Sequence, residues 1–88
     1  MKKFNYDLNK SEKLYTERGL SFEEIIALIE SGHIIDVLEH PNQDKYHRQK
    51  IYLLDVNGYL WLVPFVETED EIFLKTAFPS RKHNKLRK

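Results

Sequence analysis

Residues 51–66, IYLLDVNGYLWLVPFV, decide the fold. Two apolar runs, Ile51 to Val56 and Tyr59 to Val66, flank Asn57-Gly58. Asn-Gly is the strongest two-residue hairpin signal, because a type I′ turn needs positive φ at both central positions. Apolar residues fall on both faces of these strands, so the sheet is expected to be covered on both sides, by helices on one and by something else on the other. Pro64 has no N–H to give to a ladder, so its N–H side must face an edge or a bulge.

Downstream, Thr68-Glu69-Asp70 reads as a turn and Ile72 to Phe78 as a further strand that Pro79 ends. Upstream, Ile34, Ile35, Val37 and Leu38 suit a first strand stopping at His40-Pro41-Asn42, and the polar segment 43–49 reads as a loop. Before residue 33 the period is helical. Asp7 is a good N-cap for a helix to about Arg18, with Leu8, Leu14 and Tyr15 as its buried stripe and Gly19 as its left-handed stop. Ser21-Phe22-Glu23-Glu24 reads as a capping box, in which the Ser21 hydroxyl accepts from the Glu24 N–H and the Glu24 carboxylate reaches back. Phe22, Ile25, Ile26 and Ile29 then share one face, Leu28 borders it, and Gly32 ends the helix. The expected architecture is α+β: two N-terminal helices packed on one face of a four-stranded antiparallel sheet, in one domain spanning 1–88.

Lys plus Arg and Asp plus Glu are both 14, so the formal net charge is zero. That balance argues against a general nucleic-acid binder, but it is a cancellation. Five of the bases, Arg81, Lys82, Lys85, Arg87 and Lys88, lie in residues 80–88 with no acid among them, leaving nine bases against 14 acids elsewhere. The absence of Cys excludes a disulfide scaffold, a zinc ribbon and thiol catalysis. No apolar run approaches the roughly 20 residues of a membrane span, and the two lysines after Met1 precede no apolar segment, so neither a membrane nor a signal peptide is expected. A cytoplasmic location follows as an expectation.

The four histidines, 33, 40, 47 and 83, share no face and no metal-binding spacing, and read as solvated polar residues. Ser11, Ser21, Ser31 and Ser80 assemble no triad, and Gly19, Gly32 and Gly58 make no phosphate loop. The loop Lys45-Tyr46-His47-Arg48-Gln49-Lys50 brings cations, a ring and an amide together, a mix able to stack a base, grip phosphate and exchange protons, or simply to be solvated. Lys75 interrupts an apolar strand, and either snorkels from an edge or projects into a groove. Arg81, Lys82 and His83 directly follow that strand, so the basic end is held near the sheet; five cations there can neutralise phosphates or merely aid solubility.

Phe4-Asn5-Tyr6-Asp7-Leu8-Asn9-Lys10 resembles the opening F-x-[WY]-D-x-x-K of BrnT-family toxins. Arg18-Gly19-Leu20-Ser21-Phe22-Glu23-Glu24 resembles their next element, and Ile72 through Lys82, ending Thr76-Ala77-Phe78-Pro79-Ser80-Arg81-Lys82, is similar to their last strand and its basic continuation. The resemblance spans nearly the whole chain, residues 40–50 excepted. One departure is clear: where that family often places an Arg after the Ala of the last strand, Phe78-Pro79-Ser80 intervene here.

The resemblance implies the RelE/ParE-type fold and the toxin half of a type II toxin–antitoxin module, a metal- and cofactor-free endoribonuclease that cleaves mRNA and inhibits translation. It implies a cognate antitoxin of ribbon-helix-helix type, which neutralises the toxin and through which alone operator DNA is contacted; RNA and the ribosome are the other partners. For that chemistry, His47, Arg48, Lys75, Arg81 and His83 are the candidate catalytic residues, the cations as transition-state stabilisers and an imidazole as the proton-transfer group. Tyr46, Lys50, Lys82, Lys85, Arg87 and Lys88 are the candidate RNA-binding residues. The competing readings are a non-catalytic RelE-fold interaction protein (a degenerate toxin or antitoxin-binding module) and a gyrase-type poison that needs no catalytic residue.

Overall fold

In the computed structural model, which describes residues 2–39, 44–45 and 49–81, the hairpin forms as the sequence demands. Strands β3 (Gln49–Val56) and β4 (Tyr59–Glu67) pair in antiparallel register from Gln49 opposite Val66 to Val56 opposite Tyr59. Asn57 and Gly58 turn the chain at φ 53° and 85°, both positive as a type I′ turn requires. The Asp55 carboxylate accepts from the Gly58 N–H at 2.8 Å and fastens the turn.

Around this hairpin lie β1 (Lys3–Tyr6), α1 (Leu8–Arg18), α2 (Phe22–Glu30), β2 (Ile34–Glu39), β5 (Glu71–Leu74) and β6 (Phe78–Pro79). The sheet order is β1-β5-β4-β3-β2, with β6 also paired to β4. The fold is α+β with two helices, as expected, but the sheet has six strands rather than four. β1 precedes the helices and pairs with β5 in parallel, so the sheet is mostly, not wholly, antiparallel. Its cue was present in the sequence: Phe4 and Tyr6 alternate with Lys3 and Asn5 at the strand period, and both rings pack against the core. Four residues are too few for that period to stand out.

Asp7 caps α1, its carboxylate accepting from the N–H groups of Asn9 and Lys10, and Gly19 ends it in the left-handed region. Leu8 and Tyr15 do not join the buried stripe: they are 69% and 56% exposed, and only Ser11 and Leu14 are buried. A helix that rests on another through one turn buries only an i, i+3 pair. Along α2 the expected face holds, with Phe22, Ile25 and Ile29 buried and Ile26 and Leu28 partly so. They meet Tyr52, Leu54 and Val56 of β3 and Trp61, Val63 and Phe65 of β4. Fully burying one such side chain contributes roughly 1.5–3 kcal/mol.

Only half of the capping box forms. The Ser21 hydroxyl accepts from the Glu24 N–H at 3.3 Å, while Glu24 is exposed and no reciprocal bond forms among the described residues. The junction is held instead by Ser11. Its hydroxyl, only 7% exposed, accepts from the Phe22 N–H at 3.1 Å, tying α1 to the first turn of α2.

The opposite face of the sheet carries Ile51, Leu53, Leu60, Leu62 and Val66, of which Leu53 and Leu60 are buried. Both helices lie on the other face.

Ser11→Ala leaves the Phe22 N–H without its acceptor in a buried position. The expected cost is about 1–3 kcal/mol, read as a lower urea midpoint at unchanged m-value; a midpoint equal to that of the parent protein would contradict this role.

Candidate functional site

The expected strand Ile72–Phe78 is split in two. In an antiparallel ladder, one residue's N–H and C=O face the same neighbour. The Pro64 carbonyl accepts from the Lys75 N–H at 2.9 Å, so the N–H that Pro64 lacks would have faced Lys75 as well. One of the two bonds of that pair cannot form, and the chain leaves the ladder at once. Pairing resumes with Phe78 opposite Leu62 and Pro79 opposite Trp61. Thr76 and Ala77 therefore oppose the single residue Val63, which makes a β-bulge. Pro64 faces a bulge, as its sequence context requires.

One extra residue reverses the alternation of every side chain beyond it. Ile72 and Leu74 point into the core, and in an unbroken strand Phe78 would follow them. Instead Ala77 is buried, at 2% exposure, and Phe78 stands at the rim, at 38%. The Ser80 N–H then donates to the Leu60 carbonyl at 3.0 Å and fixes the position of Arg81.

Phe78 shares the face of its partner Leu62 and, with Arg18 at the end of α1, borders two grooves. A groove of about 380 Å³ lies between Lys10, Lys13 and Arg18 of α1 and Thr76, Ala77 and Phe78. A second, of about 530 Å³, runs from Arg18 and Phe78 past Leu62 to Arg81. Arg18 and Phe78 line both, so the two grooves adjoin there and together form a trough. Among the described residues the ion pairs are Lys2–Glu67, Lys13–Glu17 and Lys50–Glu67, which leaves Lys10, Arg18 and Arg81 without a carboxylate partner. All three are exposed.

Three of the sequence-derived candidates fall among the described residues, and they are not brought together. Arg81 lines the trough. Lys75 follows β5, with its ammonium 5.7 Å from the centre of the Phe73 ring. It pairs with Pro64, four residues along β4 from the Leu60 that anchors Ser80, or roughly 13 Å. Lys50 is half-buried at the far end of β3, opposite Phe65 and 3.8 Å from Glu67. Tyr46, His47, Arg48, Lys82, His83, Lys85, Arg87 and Lys88 lie outside the described residues. Among the described residues no three His, Asp or Glu side chains are placed to hold a metal.

Lys10, Lys13, Arg18 and Phe78 were not among the candidates. The signal for the cations was available, since Lys10, Lys13, Leu14 and Arg18 fall on one side of α1 at helical spacing. Phe78 was hidden by the bulge, because an unbroken alternation assigns it to the core.

At the opposite end of the sheet Glu67 gathers two cations. Lys2 Nζ donates to its carboxylate at 2.7 Å, and this bond, with the charges of Lys2 and Lys50, holds the carboxyl below its usual range against the opposing effect of burial. A depressed carboxyl contributes stability above its unfolded pKa, which is lost as pH falls through the folded value. In Lys2→Met the Glu67 carboxyl is expected to titrate at higher pH, by carbon-detected NMR; an unshifted titration would contradict the pairing.

Comparison of the chain with family models, with curated proteins and with solved structures finds no match.

Proposed function

We propose that this chain is the toxin of a type II toxin–antitoxin module, of the BrnT kind, and acts as a metal-independent endoribonuclease on mRNA. The observation that carries this reading is the trough, in which the unpaired guanidinium groups of Arg18 and Arg81 flank an exposed aromatic ring. Guanidinium is the side chain best matched to phosphate, through parallel N–H donors in a fixed fork.

In the proposed reaction a ribose 2′-oxygen loses its proton to a base and attacks the adjacent phosphorus. Negative charge builds on the phosphorane, the bond to the 5′-oxygen breaks, and that oxygen takes a proton from an acid. The products are a 2′,3′-cyclic phosphate and a 5′-hydroxyl. Arg81 stabilises the developing charge, Lys75 serves a neighbouring part of the strand, and His47 or His83 transfers the proton. A positioned donor for developing charge is worth roughly 10²- to 10³-fold in rate, and proton transfer about 10²- to 10⁴-fold. The same reading proposes a cytoplasmic protein neutralised by a ribbon-helix-helix antitoxin. No helix among the described residues is long and apolar enough to cross a membrane.

A second reading, a RelE-fold protein that only binds a partner, is favoured by β2. It is the outer strand beside β3, and Ile35 and Val37 on it are 56% and 46% exposed. An uncovered edge strand with apolar side chains is a template for pairing with another chain.

The purified protein, incubated with mRNA with and without ribosomes, is expected to cleave in the presence of EDTA. Arg81→Ala is expected to slow cleavage by about 10²-fold or more, and Lys75→Ala, which removes a contact to a neighbouring part of the strand, to slow it less. No cleavage under either condition, with growth inhibition unchanged in both variants, sinks the ribonuclease reading in favour of the binder.

A further inference from the structure

We propose that the trough between α1 and β6 is a track for single-stranded nucleic acid. In it Lys10, Arg18 and Arg81 hold successive phosphates while a base stacks on Phe78. The assignment rests on the ribonuclease reading and deepens it, because it gives α1 the work of holding the substrate, apart from the groups that cleave it.

Two observations point the same way. Three cations without carboxylate partners among the described residues line two adjoining grooves, Lys10 and Arg18 the first and Arg18 and Arg81 the second. Phe78 is the exposed ring among them, although Ala77 before it is buried. An exposed ring beside cations is how proteins bind single strands without reading their sequence, since every base has a face to stack and every nucleotide a phosphate. A duplex keeps its bases stacked on one another and has no face to offer Phe78. One carboxylate on the same wall opposes these cations. Lys13 is drawn 3.9 Å from Glu17, and Glu17 lies on the same wall, so this carboxylate repels the backbone that its neighbours attract. An acidic peptide would answer the same cations, but it would make no use of the ring.

Binding is tested on the full chain by fluorescence anisotropy, with a labelled 2′-O-methyl oligouridine of about 12 nucleotides, long enough to fill a single-strand site. With no free 2′-hydroxyl this probe resists cleavage, so binding is read apart from chemistry. Arg18→Gln and Arg81→Gln are each expected to weaken binding and to flatten its dependence on log salt by roughly 0.7, the share of one lost phosphate contact on a single strand. Arg18→Lys keeps the charge and should retain the slope. Phe78→Leu should weaken binding roughly 5- to 100-fold with the slope unchanged. Glu17→Gln should tighten it, and Lys3→Gln, on β1 beside Glu71 at the far end of the sheet, should leave it as it was. All of these side chains are exposed, so the variants keep the fold. Affinity indifferent to Arg18 and Phe78 overturns the track. So does a poly-aspartate peptide of equal charge that binds as tightly, with the same need for Arg18 and none for Phe78. Intact, Arg18-dependent binding without cleavage of ordinary RNA overturns the ribonuclease reading alone.

Discussion

A single missing hydrogen-bond donor, the N–H of Pro64, governs the half of the molecule that carries the proposed site. Pro64 is buried in the middle of β4, where a ladder on both sides is the rule, and proline is tolerated there only because its donor-less side meets the bulge. On the β3 side nothing is lost. On the other side the pair with Lys75 keeps one bond, the strand breaks, and one extra residue turns Ala77 inward and Phe78 outward. The ring at the rim, the placement of Arg81 and the trough against α1 all follow from that slip.

The two ends of the sheet are built for opposite purposes. At the end near Glu67, charge is satisfied locally: Lys2 and Lys50 share one carboxylate, and Thr68 closes the turn with bonds to Glu71. Such partly exposed pairs contribute little stability, about 0–1 kcal/mol each, but they neutralise their cations. At the end near Arg81, Lys10, Arg18 and Arg81 are left without carboxylate partners among the described residues. A chain of zero net charge thus concentrates unpaired positive charge beside an exposed ring, and overall neutrality says little about what it binds.

Much of the scaffold was legible in the sequence because its determinants are local. Asn57-Gly58 demands a hairpin, Asp7 and Ser21 cap helices with their own oxygens, Gly19 accepts a left-handed turn, and the apolar face of α2 has the helical period. Pro64 announced an edge or bulge without saying how the partner strand would respond. What could not be read depends on pairing between distant segments. The parallel join of β1 to β5 links residues 3–6 to residues 71–74, and four residues carry too little periodicity to announce it. The outward Phe78 depends on a register slip that only the Pro64–Lys75 pair imposes. Leu8 and Tyr15 fit a helical stripe, yet the shallow seat of α1 on its neighbour leaves them in solvent. The candidate site suffered in the same way: Arg81 was legible from its charge and its place after the last strand, whereas Lys10 and Arg18 acquire meaning only once α1 is set beside β6.

The central claim, that the bulge creates a binding trough against α1, is tested most directly by amide-resolved NMR of the full chain titrated with the 2′-O-methyl RNA. Shifts concentrated between Lys10 and Arg18 and between Thr76 and Arg81, with Lys50 and the Glu67 turn unmoved, are the expected result. Shifts concentrated instead along the edge strand Ile34–Glu39, with α1 and Phe78 silent, would contradict it.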